Sequence, residues 1–213
     1  MRFVRLIGIV GMVWAALASP SDLVAQRSPK SAHATRVGSG APSVDGVLDD
    51  AAWNGADPIR DFSQKVPLEG AEPSVATEVR LLYDEDALYV GARMHHPDPA
   101  SIRTTLTRRD GGSDAERLVI SLDTYLDRRT AYSFGVSAGG VRFDMYHPED
   151  RDTGESQFDP VWTARARIDD QGWTAEMRIP FTQLRFNAAD PQVWGLELTR
   201  FIPERNEEIQ WVL

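Results

Sequence analysis

Residues 78–96 read EVRLLYDEDALYVGARMHH, and their alternation decides the fold class. In the first arm Val79, Leu81 and Tyr83 fall on one face, with Glu78, Arg80 and Leu82 on the other. In the second arm Leu88, Val90, Ala92 and Met94 share a face, opposite Tyr89, Gly91 and Arg93. A period of two with β-branched and aromatic residues marks a strand, and Asp84, Glu85 and Asp86 supply the polar turn between two of them. A hairpin this apolar must bury a face against a second layer.

The same pattern recurs downstream. Leu118, Ile120 and Leu122 alternate with Val119, Ser121 and Asp123. Tyr132, Phe134 and Val136 lead through Ala138-Gly139-Gly140 into Val141, Phe143 and Met145, a second hairpin. Trp162, Ala164, Ala166 and Ile168 lead through Asp169-Asp170-Gln171-Gly172 into Trp173, Ala175, Met177 and Ile179, where Pro180 stops the strand. Trp194, Leu196 and Leu198 alternate again, and Ile209 opens a last strand. About eight strands at hairpin spacing predict an all-β protein, an antiparallel β-sandwich with short helical turns. Those turns are expected behind an Asp49 N-cap, within Ser101 to Arg109, and over Phe181 to Leu184. Trp53 is expected to plug the core at one end of the sandwich. Phe62 to Ala76, punctuated by Pro67, Gly70 and Pro73, reads as loop.

The front of the chain is different. Arg2 and Arg5 form a basic n-region, Leu6 to Leu17 is an apolar run, and Ala16-Leu17-Ala18 or Val24-Ala25-Gln26 offers a small-residue cleavage site. That layout predicts a signal peptide over residues 1–25, and therefore export to the periplasm or outer membrane. Residues 26–42, rich in Ser, Ala, Pro and Gly, read as a flexible linker, and the folded domain is expected over 43–213. There is no cysteine, so a packed core must supply the stability. A net charge of −9 argues against nucleic acid as a partner and against docking on an anionic membrane surface. The last strand runs to the final residue, which reads as a fragment of something longer.

Four segments in order, VDGVLDDAAW, TEVRLLYDEDALYVGARM, RLVISLDTYLDRRTAYSFGVSAGG and DPVWTARARIDDQGWTAEMRIPFTQLRF, resemble a family 9 carbohydrate-binding module. More narrowly, they are similar to the version at the front of large exported bacterial proteins that carry a C-terminal outer-membrane barrel region. The resemblance covers Ser43 to Leu213 and implies a jelly-roll-like sandwich, a carbohydrate ligand, a frequent association with xylan degradation, and in some members calcium. Sugar-binding members clamp a chain end between two tryptophans. The loop corresponding to the first, Gly111 to Glu116, contains no aromatic residue, and Ser113 stands where that ring would be. The second tryptophan would fall beyond Leu213, and Trp211 matches one inside the strand instead of the clamp.

The candidate ligand-binding residues are Arg108, Arg109, Asp110 and Asp114, with Glu116 closing the same mixed-sign loop, and Asp123 with Arg128 and Arg129. Such groups can bond hydroxyls or, through the carboxylates, a metal; a solvated rim and a structural ion pair are their ordinary roles. The acidic run Glu149, Asp150, Asp152, Glu155 and Asp159 lacks EF-hand spacing and leaves only a loose calcium site open. Nothing fixes a carboxylate pair for glycoside hydrolysis, so no catalytic residue is assigned. Met94, His95 and His96, with Met145 and His147, are the one soft-ligand cluster. A haem-binding redox sandwich is the competing class, exposed strand-end histidines the ordinary one.

Overall fold

The computed structural model describes residues 30–38, 40–111, 114–149 and 158–213. The segment expected as a signal peptide, Ser113 and most of the acidic run lie outside the described residues. Ser31–Leu213 forms one unit. Among the described residues no helix is long and apolar enough to cross a membrane.

The described residues form eleven strands: β1 Thr35–Arg36, β2 Ser63–Val66, β3 Thr77–Tyr83, β4 Ala87–His95, β5 Arg117–Asp123, β6 Ala131–Ser137, β7 Arg142–His147, β8 Thr163–Asp169, β9 Gly172–Pro180, β10 Gly195–Ile202 and β11 Glu207–Gln210. They form a five-stranded sheet, β1-β3-β4-β9-β8, and a six-stranded sheet, β2-β11-β10-β5-β6-β7. Every pairing is antiparallel except β1 with β3. The alternation of residues 78–96 is realised in register, with Val90 opposite Leu81 in β3 and Met177 in β9. Val79, Leu81, Leu88, Val90 and Met94 then meet Leu118, Ile120, Phe134 and Leu198 from the other sheet in one buried interior.

The opposite face of the hairpin is covered too. Leu82, Ala87 and Tyr89 pack under Trp53 and Ala56 as a second apolar cluster. Trp53 thus lies on the outer face of the five-stranded sheet and not at an end of the main core. Gly91 makes this approach possible, since a Cβ there would lie 2.8 Å from the indole. The indole N–H donates to Glu176 Oε1 at 2.9 Å, and Glu176 Oε2 accepts from the backbone of Asp45 and Gly46. Burying an indole of this kind is worth on the order of 3 kcal/mol. The segment that begins VDGVLDD therefore seals one side of the sandwich, and among the described residues no such segment covers the outer face of the six-stranded sheet.

Several local expectations change. The helical turn is a 3-10 helix, Ala51–Gly55, preceded by Asp50 and not Asp49; the Asp50 carboxylate accepts from Ser43 N instead of capping. Between Ser101 and Arg109 no helix continues beyond the 3-10 turn Pro99–Ser101. The expected loop 62–76 contains β2, which pairs with β11. The expected linker contains β1, hydrogen-bonded along β3, with Ala32 and Ala34 against the core. Both strands are short and polar, as sheet edges commonly are.

Candidate functional site

The outer face of the six-stranded sheet is built from the residues that alternate away from the core. Arg117, Val119, Ser121 and Asp123 project from β5, Ser133 from β6, Phe143, Met145 and His147 from β7, Glu197, Thr199 and Phe201 from β10, and Glu208 and Gln210 from β11. Together they line a groove of ≈ 680 Å³. Gly135 faces Phe143 directly across β6 and β7, so the two share a face. A Cβ at Gly135 would sit 2.0 Å from the Phe143 ring. The ring therefore lies flat on the glycine backbone and presents its other side to the groove. Beside it, Ser121 Oγ and Ser133 Oγ are 2.8 Å apart, and Ser133 Oγ lies 3.1 Å from His147 Nε2. This chain of hydroxyl and imidazole groups crosses β5, β6 and β7. At the far side the Arg117 guanidinium lies 3.8 Å above the Phe201 ring. Burial pulls the Arg117 guanidinium down, against the opposing pull of Glu208.

The loop after β5 closes one end of the groove. Asp123 Oδ2 accepts from Arg128 N at 2.7 Å and Oδ1 from Asp127 N at 3.1 Å. The expected ion pair of Asp123 with Arg128 is thus a carboxylate-to-backbone contact that folds the loop. Asp127 repeats the device: hydrogen bonds from the N–H groups of Thr130 and Arg129 hold its carboxyl below the usual value. Arg128, Arg129 and Thr130 reach the groove on this support.

Of the candidate ligand-binding residues, only Asp123 with its neighbours Arg128 and Arg129 lines the groove, beside Met145 and His147 of the soft-ligand cluster and Glu149 of the acidic run. Asp114 is exposed, pairs with Arg103 at 3.4 Å, and borders a smaller hollow that it shares with Arg117 and Phe201. Asp110 runs along β7, donating its N–H to Arg142 O and accepting from Asp144 N. Arg109 reaches the buried Asp144 at 2.6 Å and Asp159 at 2.6 Å. Desolvation pushes the Asp144 carboxyl up, against hydrogen bonds from the Trp162 indole and Arg109. Arg108 is exposed, and its carbonyl accepts from Gly111 N at 3.0 Å. Glu116 is no part of a solvated rim. It is fully buried, its Oε1 taking hydrogen bonds from Trp173 Nε1 at 2.7 Å and from Arg200 Nε and Nη2 at 2.9 and 2.6 Å.

The soft-ligand cluster is divided. Met94 is buried in the core, while Met145 and His147 lie on the outer face of the other sheet. His96 is not an exposed loop residue: it is 4% exposed, and its Nε2 lies 2.7 Å from Glu204 Oε1.

Residues 44–212 match the family described as carbohydrate family 9 binding domain-like. The chain belongs to that family. No curated protein matches the chain. The fold of this family 9 domain is similar to that of a family 9 carbohydrate-binding module from Caldicellulosiruptor kristjanssonii solved with cellotriose, at 18% identity and a TM-score of 0.56, over 84% of this chain and 82% of that one. The form solved with glucose gives a TM-score of 0.57 at 18% identity, over 84% and 85%. A Bacteroides uniformis ATCC 8492 protein is similar at 13% identity and a TM-score of 0.54, over 74% and 78%. Trp211 of this family 9 domain is 3% exposed and donates to Asp61 Oδ1 at 2.8 Å, so it is a core residue and no clamp. Two aromatic rings line the groove, Phe201 beneath the Arg117 guanidinium and Phe143, which the sequence reading placed in a strand without a binding role. Its signal was present: a glycine on β6 directly opposite a phenylalanine on β7.

Proposed function

We propose that the folded unit is a non-catalytic carbohydrate-binding module that holds a xylan-type or related β-linked saccharide across its six-stranded sheet. One pyranose ring stacks its C–H face on Phe143, and the Ser121–Ser133–His147 chain bonds the hydroxyls along one edge. The observation that carries this reading is the Phe143 ring lying flat on Gly135 beside that chain. The cellotriose and glucose held by the C. kristjanssonii module support a saccharide of this class. The basic n-region and apolar run at residues 2–17 support export. Action as an envelope-bound recognition domain, associated with the outer membrane through a further region, follows from the resemblance. The redox-type alternative is disfavoured because its ligands stand on different sides of a sheet; it requires a Soret band from the purified domain.

Affinity electrophoresis in gels containing xylan or a soluble β-glucan tests the proposal. The domain should be retarded in at least one gel and release no reducing sugar. Phe143→Ala should weaken binding at least tenfold, about 1.4 kcal/mol. No retardation in any gel would leave a structural periplasmic domain.

A further inference from the structure

Strand register orders the groove into a trough that runs across the strands. Outward positions on neighbouring strands stand directly opposite one another, and one such line reads Phe143, Gly135, Val119, Thr199 and Gln210, from β7 to β11. One flank of the line carries Ser133, Ser121 and Glu197, and the other carries Arg117 and Glu208. Given the saccharide reading above, on which this rests, we infer that the trough takes an interior run of about four units of a straight, equatorially linked β-glycan, laid along this line perpendicular to the strands.

The floor, the flanks and the length of the trough all fit that chain. Gly135 lies under the Phe143 ring, so between this ring and Gln210 the floor consists of the small side chains Val119 and Thr199. An equatorially substituted pyranose has a flat C–H face, which seats on such a ring and on β-branched side chains beside it. Its hydroxyls point sideways in the plane of the sugar, towards the flanks. On one side stand Ser121 Oγ and Ser133 Oγ, 2.8 Å apart, and Glu197, whose Oε1 accepts from Trp211 N at 3.1 Å. On the other stand Glu208 and the Arg117 guanidinium, held 3.8 Å above the Phe201 ring. Phe201 therefore supports a polar wall, and Phe143 is the stacking face. Strands set roughly 4.8 Å apart give a line of about 19 Å from β7 to β11, each spacing close to what one pyranose adds to a β-linked chain. An α-linked chain coils away from a straight line and keeps only the unit on Phe143. The run is interior because the rings that would grip a chain end are missing: Gly111 to Glu116 contains no aromatic residue, and Trp211 is 3% exposed.

Calorimetric titration of the full chain with cello-, xylo- and malto-oligosaccharides of increasing length tests this. In at least one β-linked series affinity should rise at least about tenfold from the disaccharide to the tetrasaccharide and then level off. The malto series should show no such rise. Borohydride opens the terminal ring of a β-linked hexasaccharide, and the reduced chain should bind within about twofold of the intact one. Thr199→Phe puts a bulky ring on the far half of the floor and should shrink the ratio of tetrasaccharide to disaccharide affinity below about threefold, with near-ultraviolet dichroism native. The wild-type length series decides the matter even where that variant does not fold. Equal affinity for disaccharide and tetrasaccharide, an equal rise in the malto series, binding lost on reduction of the chain end, or an unchanged ratio in folded Thr199→Phe would overturn the interior run and leave the saccharide reading standing. Absence of binding to every oligosaccharide would overturn both.

Discussion

Arg200 spends all five of its N–H groups inside the protein. They reach Glu116, the carbonyls of Ala76 and His95, and the Thr77 hydroxyl, so a β10 side chain ties the six-stranded sheet to the ends of β3 and β4. Burial pulls its guanidinium down and the Glu116 carboxylate holds it up. Breaking one half of such a pair leaves an uncompensated buried charge, whereas replacing both halves is far milder. Arg200→Met should therefore cost about 3–5 kcal/mol in urea unfolding, and Arg200→Met with Glu116→Leu should recover most of it. Equal losses in the single and double variants would contradict this. The pair was not legible in the sequence. Alternation places Arg200 inward between Leu198 and Ile202, but a charge on an inward position reads as an exception until its partner is known. That partner lies 84 residues earlier, in a loop that reads as solvated rim.

At the scale of elements, the β3–β4 hairpin was fully legible because each arm carries several alternating apolar residues, enough to fix strand, face and turn at once. β1 and β2 were not, because two to four polar residues at a sheet edge bury little and leave no period to detect. β7 shows a subtler limit. Its apolar residues Phe143 and Met145 face outward, and Asp144 faces in, because pairing with outward Gly135 sets the side. The groove escaped for a related reason. Its residues come from five strands, and each set of outward polar side chains looks like an ordinary solvent face until the sheet is assembled. The hairpin also carries a pH prediction. The Arg60 hydrogen bond, opposed by burial and aided by the charges of Arg60, Arg80 and His95, holds the Glu78 carboxyl below its ordinary 4.5. A carboxyl lowered in the folded state contributes stability that is complete above its unfolded value and is lost as pH falls through its folded one. Wild type should therefore melt above Glu78→Gln at pH 7, with the gap closing as the pH is taken well below 4.5. A gap that does not change with pH would contradict the assignment.

The whole molecule is asymmetric in a way that matters for recognition. Both sheets bury their inner faces in a common core, but among the described residues only the five-stranded sheet has its outer face roofed, by Trp53 over Gly91 and the Glu176 hydrogen bonds that anchor residues 45 and 46. The six-stranded sheet keeps its outer face as the groove, with one aromatic ring laid flat and polar groups around it. Saccharide recognition on that face is the central claim, and amide chemical-shift mapping tests it most directly. Titration of a xylo- or cello-oligosaccharide into the labelled domain should shift amides of β5, β6 and β7 around Ser121, Ser133 and Phe143, and leave residues 44–56 unmoved. Saturable shifts confined to any other surface would contradict it.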